Sequence, residues 1–179
     1  MRICTIPTRI LRFALWPLIV CVAHSIALAQ EGRLVTETVH SPALEDNLFG
    51  DSPDREILIY LPPGYDEDTD QRYPVVYLLH GYTGNHRMWM GEGYTNSSVN
   101  VFSAMNSWLR QGQVKEMILV MPDSHNRLRG SNYVNSVSTG RWADFIAVDL
   151  VEHIDNGYRT LPQRESRAVV GHSMGADGA

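Results

Sequence analysis

Gly171-His172-Ser173-Met174-Gly175 reads G-x-S-x-G, and it directly follows the apolar run Ala168-Val169-Val170. A serine between two glycines at that place suits a sharp turn from strand to helix. The glycines carry no Cβ to clash where the chain doubles back, and the hydroxyl is left at the tip as a nucleophile. Ala176-Asp177 can begin the helix. Attack on a carbonyl builds an oxyanion, which preorganised backbone N–H groups must meet, so backbone direction matters more than side-chain identity. One donor in such a turn is the N–H of the residue after the nucleophile, here Met174. A second Gly-rich loop, His80-Gly81-Tyr82-Thr83-Gly84, follows the apolar run Val75–Leu79 and is placed to supply the other. His80 reads as a packed histidine that steadies this loop rather than as the catalytic base.

These segments need a frame. Residues 32–40 alternate as an edge strand, and residues 55–61 form a firmer strand stopped by Pro62-Pro63-Gly64. Val75–Leu79, Met117–Met121 and Ala168–Val170 are unbroken apolar runs, the pattern of strands buried on both faces of a parallel sheet. Residues 99–111 predict a helix with Val101, Phe102, Met105, Trp108 and Leu109 on one face. Residues 141–158 predict the clearest one, with Trp142, Phe145, Ile146, Leu150, Ile154 and Tyr158 three or four apart. Strands alternating with helices predict an α/β fold with a mostly parallel sheet flanked by helices.

Residues 55–84, 117–123, 131–160 and 171–175 together resemble the putative-esterase family. This is the α/β-hydrolase group of esterase D, S-formylglutathione hydrolase, the feruloyl esterases and the antigen-type mycolyltransferases. The resemblance runs from about Arg33 to Ala179 and does not select a substrate. It implies a serine carboxylesterase that hydrolyses carboxylic esters through an acyl-enzyme on Ser173. It also implies an oxyanion hole made by the backbone N–H groups of Tyr82 and Met174, and no cofactor. Trp89 follows the oxyanion loop and is a candidate for lining an acyl or aryl pocket, with a core or lid role as the alternative. Ala176 stands where the family often has glycine; its methyl is a candidate for crowding the start of the helix, although alanine is tolerated in related elbows.

The fold orders its triad as serine, then acid, then histidine along the chain. Only six residues follow Ser173, Asp177 is too close to serve as the acid, and all seven histidines lie upstream. The chain therefore reads as the N-terminal part of an esterase domain, residues 30–179, with the triad acid and histidine beyond it. Two alternatives stand beside the hydrolase: an acyltransferase of the same family, in which a sugar hydroxyl replaces water, and a non-catalytic secreted binding protein on a degenerate hydrolase scaffold.

At 44% hydrophobic and 20% charged residues, the composition is that of a folded domain. The net charge of −5 and the lack of any basic run after the first dozen residues argue against a nucleic-acid partner. Arg2, Arg9 and Arg12, the apolar stretch Phe13–Ala23 and the closing Ala27-Leu28-Ala29 have the layout of a signal peptide, residues 1–29, cut after Ala29. The product is expected to be secreted or periplasmic and free of the membrane. It would carry a net charge of −8 and no cysteine, because Cys4 and Cys21 both lie in the removed segment. The expected partner is a small-molecule or carbohydrate-linked ester. Residues 66–72 are acidic, but Gln71 and Tyr77 stand where a calcium loop needs glycine and glutamate, so a solvated turn is expected there. No metal-ligand spacing occurs, and Asn96-Ser97-Ser98 is a lone glycosylation sequon. Asn126, Arg127, Arg129, Tyr133 and Asn135 lie on a long polar loop at the end of a sheet where ligands commonly bind.

Overall fold

A computed structural model describes residues 30–92 and 100–179; the signal-peptide segment and the Asn96 sequon lie outside the described residues. Five strands form one sheet: β1 (Arg33–His40), β2 (Asp54–Leu61), β3 (Val75–Leu79), β4 (Ile118–Pro122) and, after a short hairpin of β5 (Asn135–Ser136) and β6 (Gly140–Arg141), β7 (Arg167–Gly171). Their order is β1-β2-β4-β3-β7. β2 runs antiparallel to both β1 and β4, while β4, β3 and β7 are mutually parallel, so only β2 opposes the other four. This is the α/β-hydrolase fold.

The uninterrupted apolar strands bury side chains on both faces. On one face Ile57, Ile59, Leu61, Val75, Tyr77, Leu79, Ile118 and Val120 meet Trp142, Phe145, Ile146, Leu150 and Ile154. Those five come from one continuous helical run, α2 (Trp142–Asp144), a π-helical turn (Phe145–Asp149) and α3 (Leu150–Gly157). The π turn brings the Asp149 carboxylate onto the Ser41 hydroxyl at 2.5 Å and the Ala43 N–H at 3.1 Å, tying the helix to the loop after β1. On the other face Leu58, Tyr60, Leu78, Leu119 and Met121 pack with Met105, Phe102 and Leu109 of α1 (Val101–Arg110). The Asn100 side chain caps α1 by accepting the Ser103 N–H at 2.9 Å.

The apolar run Ala168–Val170 lies in a strand at the edge of the sheet. β7 pairs with β3, but among the described residues no strand pairs with its other edge, and Val169 and Val170 are 42% and 46% exposed. The acidic turn behaves as a turn: Asp66 pairs with Arg33 at 2.7 Å, and Asp68 accepts the N–H groups of Asp70 and Gln71. No helix among the described residues is long and apolar enough to cross a membrane.

Candidate active site

Ser173 sits between β7 and the short helix α4 (Met174–Asp177) at φ 53°, ψ −120°. A side-chain-bearing residue reaches that region only at a cost, which is borne where the surroundings dictate the turn. The surroundings are the flanking glycines. A Cβ on Gly171 would collide with the Gly175 carbonyl, and one on Gly175 would collide with the Leu79 carbonyl at the end of β3. The elbow therefore closes on itself and against β3 only because both positions lack side chains. Backbone bonds hold it: His172 N–H to the Leu79 carbonyl at 3.1 Å, Gly175 N–H to the His172 carbonyl at 2.9 Å and Ala176 N–H to the Ser173 carbonyl at 2.8 Å. Ser173 is exposed at the tip. Ala176 is exposed too, in keeping with alanine being tolerated at this place in the elbow.

The loop after β3 lies against this elbow. A Cβ on Gly81 would stand 3.3 Å from Ser173 Cβ and 2.9 Å from His172 Nδ1. A Cβ on Gly130 would meet Met174 Sδ at 2.5 Å and Tyr82 Cδ2 at 2.9 Å, so the Tyr82 and Met174 side chains converge on one point of the long polar loop. Gly81 to Gly84 form a tight turn closed by Gly84 N–H on the Gly81 carbonyl at 3.0 Å, with Thr83 at φ 64°. The Thr83 N–H donates to the Arg129 carbonyl at 2.8 Å. Among the described residues, the backbone N–H groups of Tyr82 and Met174 donate to no protein acceptor. Two unclaimed donors beside an exposed serine are the elements that an oxyanion hole requires.

His80 is fully buried and uses both ring nitrogens on backbone. Nδ1 bonds the Gly81 carbonyl at 2.9 Å, and Nε2 accepts the Ser124 N–H at 2.8 Å. Burial holds its pKa below the ordinary imidazole range, against the raising effects of the Gly81 hydrogen bond and of Asp123. The neutral ring makes the 3.8 Å approach of Nε2 to Asp123 a contact rather than an ion pair. Tyr133, at φ 54°, donates its hydroxyl to the His80 carbonyl at 2.9 Å.

Of the polar loop, Asn126 and Tyr133 are buried and hold structure. The Asn126 carboxamide oxygen accepts the Leu128 and Gly130 N–H groups at 2.9 and 3.0 Å. Asn135 donates to Asp144 at 2.9 Å, while Arg127 and Arg129 are exposed. Trp89 ends a short 3₁₀ turn (His86–Trp89) and packs partly buried against the Leu58–Met121 side of the sheet. Among the described residues no group of three or more His, Cys, Asp or Glu side chains is arranged to hold a metal.

One contributor went unread in the sequence. Arg55 is 8% exposed and faces the α2–α3 layer. Its guanidinium donates to the Asp123 and His125 carbonyls at 3.1 and 2.6 Å, pairs with the Asp123 carboxylate at 3.2 Å and lies 5.1 Å from the Trp142 ring centre. The signal was available: Arg55 shares its strand parity with Ile57, Ile59 and Leu61, and a charge at an inward position demands partners.

Residues 52–179 match the family described as "Putative esterase". Esterase Rv1288 of Mycobacterium tuberculosis is 31% identical over 154 residues, which cover 82% of this chain and 30% of that protein. The endo-1,4-beta-xylanase/feruloyl esterase of Xylanibacter ruminicola is 27% identical over 120 residues, covering 65% of this chain and 16% of that protein. A solved ferulic acid esterase superposes with a TM-score of 0.71 at 27% identity, over 84% of this chain and 54% of that one. The chain thus spans under a third of the curated relatives it matches and about half of the solved one.

Proposed function

This chain belongs to the putative-esterase family of α/β-hydrolases, and we propose that Ser173 is the nucleophile of a secreted serine carboxylesterase. The observation that carries the reading is the strained, exposed conformation of Ser173, set beside two backbone N–H groups that no protein acceptor claims. In the reaction, Ser173 Oγ attacks the ester carbonyl carbon as its proton passes to a general base. The carbonyl oxygen becomes an oxyanion held by the N–H groups of Tyr82 and Met174. Collapse expels the alcohol, protonated as it leaves, and water then releases the acid from the acyl-enzyme. Both ring nitrogens of His80 are engaged by backbone groups, so His80 is not assigned as the base.

The partly buried packing of Trp89 against the Leu58–Met121 side of the sheet favours its core alternative over a pocket-lining role. The ferulate-directed names of two relatives make methyl ferulate a natural first substrate, and a small-molecule or carbohydrate-linked ester the substrate class. Export with cleavage after Ala29 completes the reading, supported by the basic start, the short apolar core and the Ala-Leu-Ala close. In the full-length protein, Ser173→Ala is expected to abolish hydrolysis of methyl ferulate and p-nitrophenyl acetate. Undiminished turnover would overturn the assignment.

A further inference from the structure

The Gly81 carbonyl and the Tyr82 N–H belong to one peptide unit, which is planar and trans, so the two groups point in opposite directions. Whatever fixes the carbonyl therefore fixes the donor. The Gly81 carbonyl is gripped twice, by Gly84 N–H at 3.0 Å and by His80 Nδ1 at 2.9 Å. The second grip works only if the proton is on Nδ1. Ser124 settles this, because its N–H donates to Nε2 at 2.8 Å and so requires a lone pair there. His80 is itself held from the main-chain side, where Tyr133 donates to its carbonyl at 2.9 Å and the Tyr133 ring meets the imidazole edge-on at 6.0 Å. Ser124 is in turn held by the Arg55 bonds to the carbonyls of Asp123 and His125 on either side of it.

We propose that His80 is a positioning residue for the oxyanion hole: locked as the Nδ1–H tautomer by Ser124, it orients the Gly81 carbonyl and thereby aims the Tyr82 N–H out of the turn as a preset donor. This deepens the esterase reading and rests on it. The charged and titratable groups around the ring are Asp123, His86 and His125, with the Tyr133 phenol on the opposite side. Burial keeps the ring neutral, which preserves the Nε2 lone pair that Ser124 needs.

Two substitutions separate the ring's two jobs. In His80→Asn the side-chain amide lies near the Nδ1 position and can still donate to the Gly81 carbonyl. In His80→Gln the amide reaches the Nε2 position, can still accept from Ser124 and leaves the Gly81 carbonyl without its second grip. Both are measured in the full-length protein on p-nitrophenyl acetate, with sites counted by a fluorophosphonate titrant so that unfolded molecules do not enter the rate. His80→Gln is expected to lower kcat per titrated site about a hundredfold, the scale of losing one oxyanion donor, with KM little changed. His80→Asn is expected to keep kcat within about tenfold of the parent, since one neutral hydrogen bond is retained. Equal kcat in the two variants, or a higher value in His80→Gln, would overturn the proposal, as would a loss confined to KM. A Ser173→Ala control run alongside tests the nucleophile by itself, so the underlying reading fails or stands on a separate result.

Discussion

Ser173 is held in a turn that is uncomfortable for a residue with a side chain. Its φ of 53° and ψ of −120° place it where a side chain costs about 1–3 kcal/mol. Glycine tolerates that region but loses about 0.5–1 kcal/mol through the freedom it adds to the unfolded chain. Ser173→Gly is therefore expected to stabilise the protein by about 1 kcal/mol while removing the proposed nucleophile. The measurement is a urea midpoint that rises with the slope unchanged; a lower midpoint would mean that the elbow is not strained. The serine was legible in the sequence because its two glycines are a signature of close backbone approach. The turn geometry at Thr83, Arg129, Asn132 and Tyr133 was not. All four take positive φ, yet none is the glycine that advertises such a conformation. At Thr83 the N–H bonds the distant Arg129 carbonyl, and local sequence carries no trace of such a bond.

Among the elements, the sheet was the legible part. Val75–Leu79 occupies the expected residues, and β4 and α1 are each displaced by only one or two, because continuous apolar runs and a three-to-four spacing are direct consequences of burial. The helix over 141–158 was legible as a whole but not its π turn, at whose end Asp149 meets the loop after β1. β7 departs most. Its composition matches a doubly buried strand, but burial depends on what lies against it, and among the described residues β3 alone pairs with it. Arg55 gives the element-scale prediction. It ties β2 to the segment after β4 through two carbonyls and one carboxylate. Arg55→Leu leaves those acceptors without their cation and is expected to cost about 3 kcal/mol. It should also lower kcat, since Ser124 loses its support and Ser124 sets the His80 tautomer. A variant with parental stability and parental kcat would show that the segment after β4 is held by other means.

At the scale of the molecule, the α/β-hydrolase frame brings two distant segments together. The turn after β3 and the elbow after β7 are neighbours because β3 and β7 pair in parallel, register Leu79 opposite Gly171, so both strands deliver their loops to the same edge. This adjacency follows from topology and would hold for many chemistries, so the frame fixes where the two loops meet and selects no substrate. The proposed export also belongs to the scale of the whole chain. Amino-terminal sequencing of the mature protein is expected to begin at Gln30, whereas a retained Met1 would contradict cleavage. The most direct test of the account is the site of covalent labelling. After reaction of the full-length protein with a fluorophosphonate, peptide mass spectrometry is expected to place the adduct on Ser173 within the peptide that follows Arg167. An adduct on another residue, or labelling that survives Ser173→Ala, would contradict it.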